Sequence, residues 1–130
     1  MQYCTIIEQS KKLIELGLNP NTADMCYIQH FGEYNNEVTF IEEVPILVHT
    51  IDTIDLPCWS LGALINLMPS MIYKGGETFT LRIYKDVVYH VCYKSHYHLD
   101  EIWFSKENLL DAAFEMVYWL LENNYIKKGE

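Results

Sequence analysis

The sequence predicts an α+β fold, an antiparallel sheet with about three helices packed mainly on one face. The chain has 130 residues, half of them apolar, which suits one compact domain over residues 1–130. Apolar residues recur at helical spacing in three segments, and the stretches between them are rich in β-branched and aromatic residues. Helices and short strands in this mixed order are typical of the α+β class.

The first predicted element is a helix over residues 5–16. Ile6 and Leu13 fall on one side of this helix and its charged residues on the other. Gly17 stands where a left-handed residue ends a helix, and Pro20 prevents its continuation.

Three short strands are predicted next, at residues 25–28, 38–41 and 46–48. The loop at residues 32–36 separates the first two strands and indicates a hairpin between them. Pro45 suits an edge position or the start of a strand, because proline cannot donate to a β-ladder.

A short second helix is predicted over residues 61–68. It is either capped by Ser60 or entered through Pro57, and Pro69 ends it. A helix this short depends on tertiary packing for its stability.

The clearest hairpin follows the Gly75-Gly76 turn, with strands at residues 78–85 and 87–94. Its first strand alternates apolar with polar or aromatic side chains, and Ile102-Trp103-Phe104 adds a further strand.

The last helix has the strongest signal, and Ser105 is its predicted N-cap. Asn108, Asp111 and Glu115 favour its early turns. Its wide apolar arc indicates contact with both the sheet and another helix. The arc consists of Leu109, Leu110, Ala113, Phe114, Met116, Val117, Leu120 and Leu121.

The net charge is −9, and residues 18–77 contain eight acidic residues and a single lysine. Nucleic-acid binding is not expected, because it relies on basic side chains and the chain has one arginine, Arg82, and no basic run. The acidic section either faces a basic protein partner, mimics a nucleic-acid backbone, or keeps a tyrosine-rich surface soluble.

The four cysteines, Cys4, Cys26, Cys58 and Cys92, are widely spaced and form no C-x-x-C pair. The amino-terminal residues lack a basic segment followed by an apolar one, so we expect a reduced, cytosolic protein whose cysteines act mainly as small buried apolar residues. The longest apolar run has six residues, too few to cross a bilayer.

The densest group of candidate metal ligands is His90, Cys92, His96 and His98. On a strand His90 and Cys92 share a face, and zinc accepts thiolate and imidazole ligands. The spacing is not that of a zinc knuckle, and cross-strand histidines beside tyrosines are more often surface or hairpin contacts. The favoured expectation is therefore no metal and no cofactor.

Cys58 is the candidate nucleophile, because it precedes a helix whose amino terminus would lower its pKa, with any histidine as base. Packing between Pro57 and Trp59 is the simpler explanation, and no known catalytic motif is present. The sequence predicts no catalytic residue.

The aromatic content exceeds what a small core needs. Tyr84, Tyr89, Tyr93 and Trp103 are the candidate binding residues, since tyrosine and tryptophan supply interface energy at low entropic cost. The alternative is that these rings complete the core and the hairpin surface. Binding of another protein, or self-association, is the expected function.

Several blocks resemble a known group of proteins. They are residues 3–6, 8–11, 15–18, 22–25, 57–64, 68–69, 112–113 and 119–123. These residues fall in three blocks that together span roughly half of the chain, and they resemble small proteins encoded in phages and prophage-like regions of gut Bacteroides-type bacteria. The resemblance implies a bacterial or phage cytosol and an accessory or regulatory role, and it assigns no activity or functional residue.

The sequence thus predicts a non-enzymatic protein-binding or accessory protein with an acidic and aromatic surface. The alternative is a small Cys/His-based enzyme or zinc-binding protein.

Overall fold

A computed structural model describes residues 2–31, 38–40, 46–47, 56–97 and 101–129, with side-chain surroundings for 2–28, 56–97 and 101–129. Within these ranges the helices are α1 (Ile7–Glu15), α2 (Leu61–Leu67) and α3 (Leu109–Glu122), with a short 3-10 helix at Pro20–Thr22. The strands are β1 (Met25–Tyr27), β2 (Gln29–Phe31), β3 (Val38–Phe40), β4 (Ile46–Leu47), β5 (Leu56–Cys58), β6 (Met71–Lys74), β7 (Glu77–Lys85), β8 (Tyr89–Ser95) and β9 (Ile102–Lys106). The predicted α+β class is confirmed.

The main sheet has four antiparallel strands in the order β6-β7-β8-β9. In its register Leu81 lies opposite Tyr93, and Tyr93 lies opposite Ile102. Because side chains alternate along a strand, these three residues share one side of the sheet, here called the inner face. They belong to the hydrophobic core together with α2 and α3, so the helices cover the inner face.

The opposite side of this sheet is here called the outer face. It turns away from the three helices and carries alternate residues of each strand. These residues are Met71 and Tyr73 on β6, Thr78, Thr80, Arg82 and Tyr84 on β7, His90, Cys92 and Lys94 on β8, and Trp103 and Ser105 on β9.

Helix α3 supplies much of the core. It packs against β8, β9 and α2, as its wide apolar arc predicts. Its N-cap is Asn108, whose side-chain oxygen accepts a hydrogen bond from the Leu110 backbone N–H at 2.8 Å. The predicted cap Ser105 is wrong, because β9 continues to Lys106 and the helix begins only at Leu109.

The two shorter helices lie close to their predicted positions. Gly17 ends α1 with φ +93°, a left-handed conformation in which a side chain is strained. Ile6 is exposed at the N-cap of α1 rather than buried. Ser60 caps α2 through the Ala63 backbone N–H at 3.2 Å, and Pro57 lies in β5 instead of opening the helix.

The strand pairing between residues 25 and 58 differs from the predicted hairpin. β1 pairs with β4 and β5, whereas β3 pairs with β2. The strands β2, β5 and β6 were not predicted. The expected loop at 32–36 and the edge role of Pro45 lie outside the described residues. No helix of the described ranges is long and apolar enough to span a membrane.

Candidate functional site

The outer face carries a cluster of three rings at its β7–β8–β9 end. The Tyr84 and His90 ring centroids are 4.7 Å apart, and Trp103 meets both rings edge-on at 5.8 and 5.3 Å. The strand register explains the cluster, because Tyr84 lies opposite His90 across β7 and β8, and Ser105 lies opposite His90 across β8 and β9. Edge-on contacts of this kind stabilise a fixed arrangement of rings.

His90 anchors the cluster through both ring nitrogens. The Trp103 Nε1–H donates to His90 Nδ1 at 3.0 Å and to Ser105 Oγ at 2.6 Å. Because Nδ1 accepts this bond, the neutral ring carries its proton on Nε2, which lies 2.7 Å from Asp86 Oδ1. Ser105 Oγ lies 2.7 Å from Nδ1. The His90 ring is thus held from both sides.

Asp86 is the charged partner of this network and lies in the turn between β7 and β8. The hydrogen bond from His90, with a second one from the Val88 backbone N–H, lowers the pKa of Asp86. Asp86 therefore stays ionised to a lower pH than an ordinary aspartate.

A groove of about 770 Å³ lies beside the ring cluster. It is lined by Thr78, Thr80, Arg82, Ile83, Tyr84, Lys94, Ser95 and His96. Lys94 joins the groove to the cluster, since its Nζ lies 4.6 Å from the Trp103 ring centroid and 5.5 Å from that of Tyr84. Two cationic side chains, Arg82 and Lys94, therefore line the groove, and no carboxylate is present among the described residues of its lining.

The four predicted aromatic binding residues separate into two groups. Tyr84 and Trp103 lie on the outer face, 38% and 37% exposed. Tyr89 is half-buried on the inner side of β8, where Lys85 Nζ lies 5.0 Å from its ring centroid. The expectation that Tyr93 belongs to an exposed surface is wrong. It is fully buried, and its hydroxyl donates to the Pro69 carbonyl at 2.6 Å.

The candidate metal ligands do not form a shared site among the described residues. His90 and Cys92 share the outer face as predicted, but Cys92 is buried with its Sγ 3.6 Å from the Arg82 carbonyl. His96 is exposed and contacts the ring of Tyr97, and His98 lies outside the described residues. The described part of the chain contains no group of three His, Cys, Asp or Glu side chains that could hold a metal ion.

Cys58 does not have the surroundings of a reactive cysteine. It is fully buried in a small second core with Cys4 and Tyr27. A hydrogen bond with the Cys4 thiol, together with burial, raises the pKa of Cys58. All four cysteines are free and buried, which matches their predicted role as small apolar residues.

A second groove, of about 470 Å³, lies beside the start of α2 and is explained by helix capping. Asp24 in its lining accepts hydrogen bonds from the Ser60 backbone N–H at 2.9 Å and from the Ser60 hydroxyl. Trp59 is fully buried nearby, and its Nε1–H donates to Thr22 Oγ1 at 2.9 Å. The polar groups here are used in holding the fold.

The acidic section of the sequence cannot be placed as one surface. Six of its eight carboxylates, those of Glu33, Glu37, Glu42, Glu43, Asp52 and Asp55, lie outside the described residues.

Sequence reasoning also missed Asp86, Lys94 and Ser105 as neighbours of the rings. The alternation of polar side chains along residues 78–84 and 90–94 was the available signal for the outer face.

Comparison of the chain with protein-family models, with curated proteins and with solved structures finds no match. The site is therefore interpreted from its own geometry.

Proposed function

We propose that the chain is a non-enzymatic binding protein and that the outer face is its contact surface for another protein. The observation that carries the proposal is the placement of exposed aromatic residues on a sheet face that no described helix covers. Tyr84 and Trp103 are joined there by Met71 and Tyr73, which are 59% and 72% exposed. Exposed apolar side chains on the same face of a sheet are typical of interaction surfaces.

The ring cluster supports the proposal because it is already ordered before any partner binds. Trp103 is hydrogen-bonded to His90 and Ser105, and Lys94 lies over its ring. A side chain that is held in place loses little conformational entropy on binding. Tryptophan and tyrosine held in this way are the residue types that dominate binding energy in protein interfaces.

The expected setting is part of the proposal. An accessory role in a bacterial or phage cytosol is what the sequence resemblance implies, and a binding protein without catalysis suits that role. Nucleic acid is not proposed as the partner, since the chain has 18 acidic and 9 basic residues. The buried thiol of Cys58 gives the enzymatic alternative no support.

The test is a comparison of Trp103→Ala with a matched control, Tyr3→Ala. Tyr3 is an exposed aromatic residue outside the main sheet. Immobilised wild-type protein and the Tyr3 variant should retain the same protein from a bacterial lysate, and the Trp103 variant should lose it. Circular dichroism checks that both variants are folded. Equal capture by all three proteins would contradict the proposal. If the purified chain forms a dimer by itself, the partner bound by the outer face would be a second copy of the chain.

A further inference from the structure

We infer that the partner segment bound by the outer face is acidic, and that its glutamate or aspartate side chain enters the groove beside Arg82 and Lys94. This inference rests on the proposed function and specifies the chemistry of the partner. It depends on three observations, which are the lining of the groove, the placement of its two cations, and the charge of the rest of the chain.

The lining of the groove consists of groups that can donate hydrogen bonds to an anion. Arg82 and Lys94 provide the positive charge, Thr78 and Thr80 provide hydroxyl groups, and His96 also belongs to the lining. A volume of about 770 Å³ is ample for a carboxylate side chain together with an apolar neighbour.

The strand register brings the two cations together on the outer face. Arg82 lies opposite Cys92, and Lys94 lies opposite Thr80, so Arg82 and Lys94 are diagonal neighbours on adjacent strands. A carboxylate between these side chains would interact with both charges. The Lys94 Nζ lies 5.5 Å from the Tyr84 ring centroid and 4.6 Å from that of Trp103, so these rings offer an apolar side chain of the partner a surface beside the anion site.

No carboxylate among the described residues neutralises these cations. Among the described residues, Lys12 forms an ion pair with Glu8, and Asp86 is hydrogen-bonded to His90. Glu101 directly precedes β9 and acts electrostatically on Cys92 and Tyr84, but it is not among the described residues that line the groove. The charges of Arg82 and Lys94 are therefore available to a partner.

The charge of the whole chain gives this groove its selectivity. With a net charge of −9, the chain as a whole repels an acidic segment, whereas Arg82 and Lys94 attract it locally. Charge complementarity of this kind fixes where a partner docks and makes the affinity dependent on salt.

The experiment uses two synthetic peptides of the same length, one alternating valine with glutamate and the other alternating valine with glutamine. Binding to the full chain is followed through the backbone amide resonances in NMR spectra. We expect the glutamate peptide to shift the resonances of Thr80, Arg82 and Lys94 saturably, with an affinity that falls as salt is added. The glutamine peptide should leave those resonances unchanged.

The variant Arg82→Gln should weaken binding of the glutamate peptide by about tenfold, since it removes one of two cations at the anion site. The matched control is Lys106→Gln, because Lys106 is an exposed lysine on the other side of the main sheet. This control variant should bind as the wild-type chain does.

Four results would overturn the inference. They are equal shifts by both peptides, equal weakening by both variants, tighter binding of a thymidine oligonucleotide than of the glutamate peptide, and no shift by the glutamate peptide at about 5 mM. If the Trp103 variant loses its captured protein while Arg82→Gln retains it, the acidic partner is wrong and the binding function stands. If the Trp103 variant and the Arg82 variant both capture the same protein as the wild-type chain does, the binding function and the acidic partner are both contradicted.

Discussion

At the scale of single residues, His90 organises the outer face. One ring nitrogen accepts from Trp103 and the other faces Asp86, so a single imidazole orders an aromatic residue and a carboxylate. Its sequence neighbours gave no indication of this role, because Asp86 and Ser105 reach it through a turn and a neighbouring strand. The histidine considered as a candidate zinc ligand is thus a residue that positions Trp103.

The pKa of Asp86 tests this network. In the wild-type chain it should lie below the ordinary value of 3.8, and His90→Phe should raise it toward that value by removing the ring N–H donor. Because folding lowers this pKa, the stability that Asp86 contributes is present above pH 3.8 and is lost as pH falls through the lowered pKa. Titration of the carboxyl carbon resonance by NMR measures both proteins. An unchanged pKa in the variant would show that His90 does not donate to Asp86.

The four cysteines make a second prediction at this scale. Since Cys4, Cys26, Cys58 and Cys92 are all buried, a thiol reagent such as DTNB should react with them only as the protein unfolds. The released thionitrobenzoate, followed by absorbance at neutral pH, should rise slowly in buffer and rapidly in denaturant. Rapid reaction of one thiol in buffer would contradict the burial of the cysteines and would support the alternative of a cysteine-based enzyme.

At the scale of elements, Asn108 and Ser105 are the two candidate N-caps of α3, and substitution of each distinguishes between them. Asn108→Ala should destabilise the chain by about 1 kcal/mol, because it removes the acceptor for the Leu110 N–H at the start of the helix. Ser105→Ala should cost less, since its bonds are exposed outer-face bonds that water replaces. Urea denaturation of the two variants measures the difference. A larger loss for the Ser105 variant would support the cap predicted from the sequence.

The strands show which features of the sheet can be predicted from the local sequence pattern. Along β8, Val91 and Tyr93 alternate with His90, Cys92 and Lys94, so the division into two faces was readable from the sequence. That alternation also indicated that Tyr93 belongs with the core. The high number of aromatic residues nevertheless led to its prediction as a binding residue. The pairing partners of β1 could not be predicted in the same way. Backbone hydrogen bonds can form between any two strands, so the local sequence does not show which strands pair.

At the scale of the whole molecule, one core joins the three helices to the inner face of the main sheet. Leu120→Ala on α3 should lower the free energy of unfolding by about 2–5 kcal/mol, because this fully buried side chain would leave a cavity. The exposed neighbour Glu122→Ala should change it by less than about 0.5 kcal/mol. Urea denaturation followed by circular dichroism at 222 nm measures both. Equal small effects would mean that α3 is not part of the core.

The sequence by itself determined the fold class, the positions of the three helices, the main hairpin and the burial of the cysteines. These follow from hydrophobic periodicity and turn residues, which act over a few positions of the chain. Only the tertiary structure decided which strands pair, that Trp59 and Tyr93 lie in the core, and that Asp86, His90, Trp103 and Ser105 meet on the outer face. The physical reason is that these contacts join distant positions, and they form only where packing of the helices against one side of the sheet leaves the other side free.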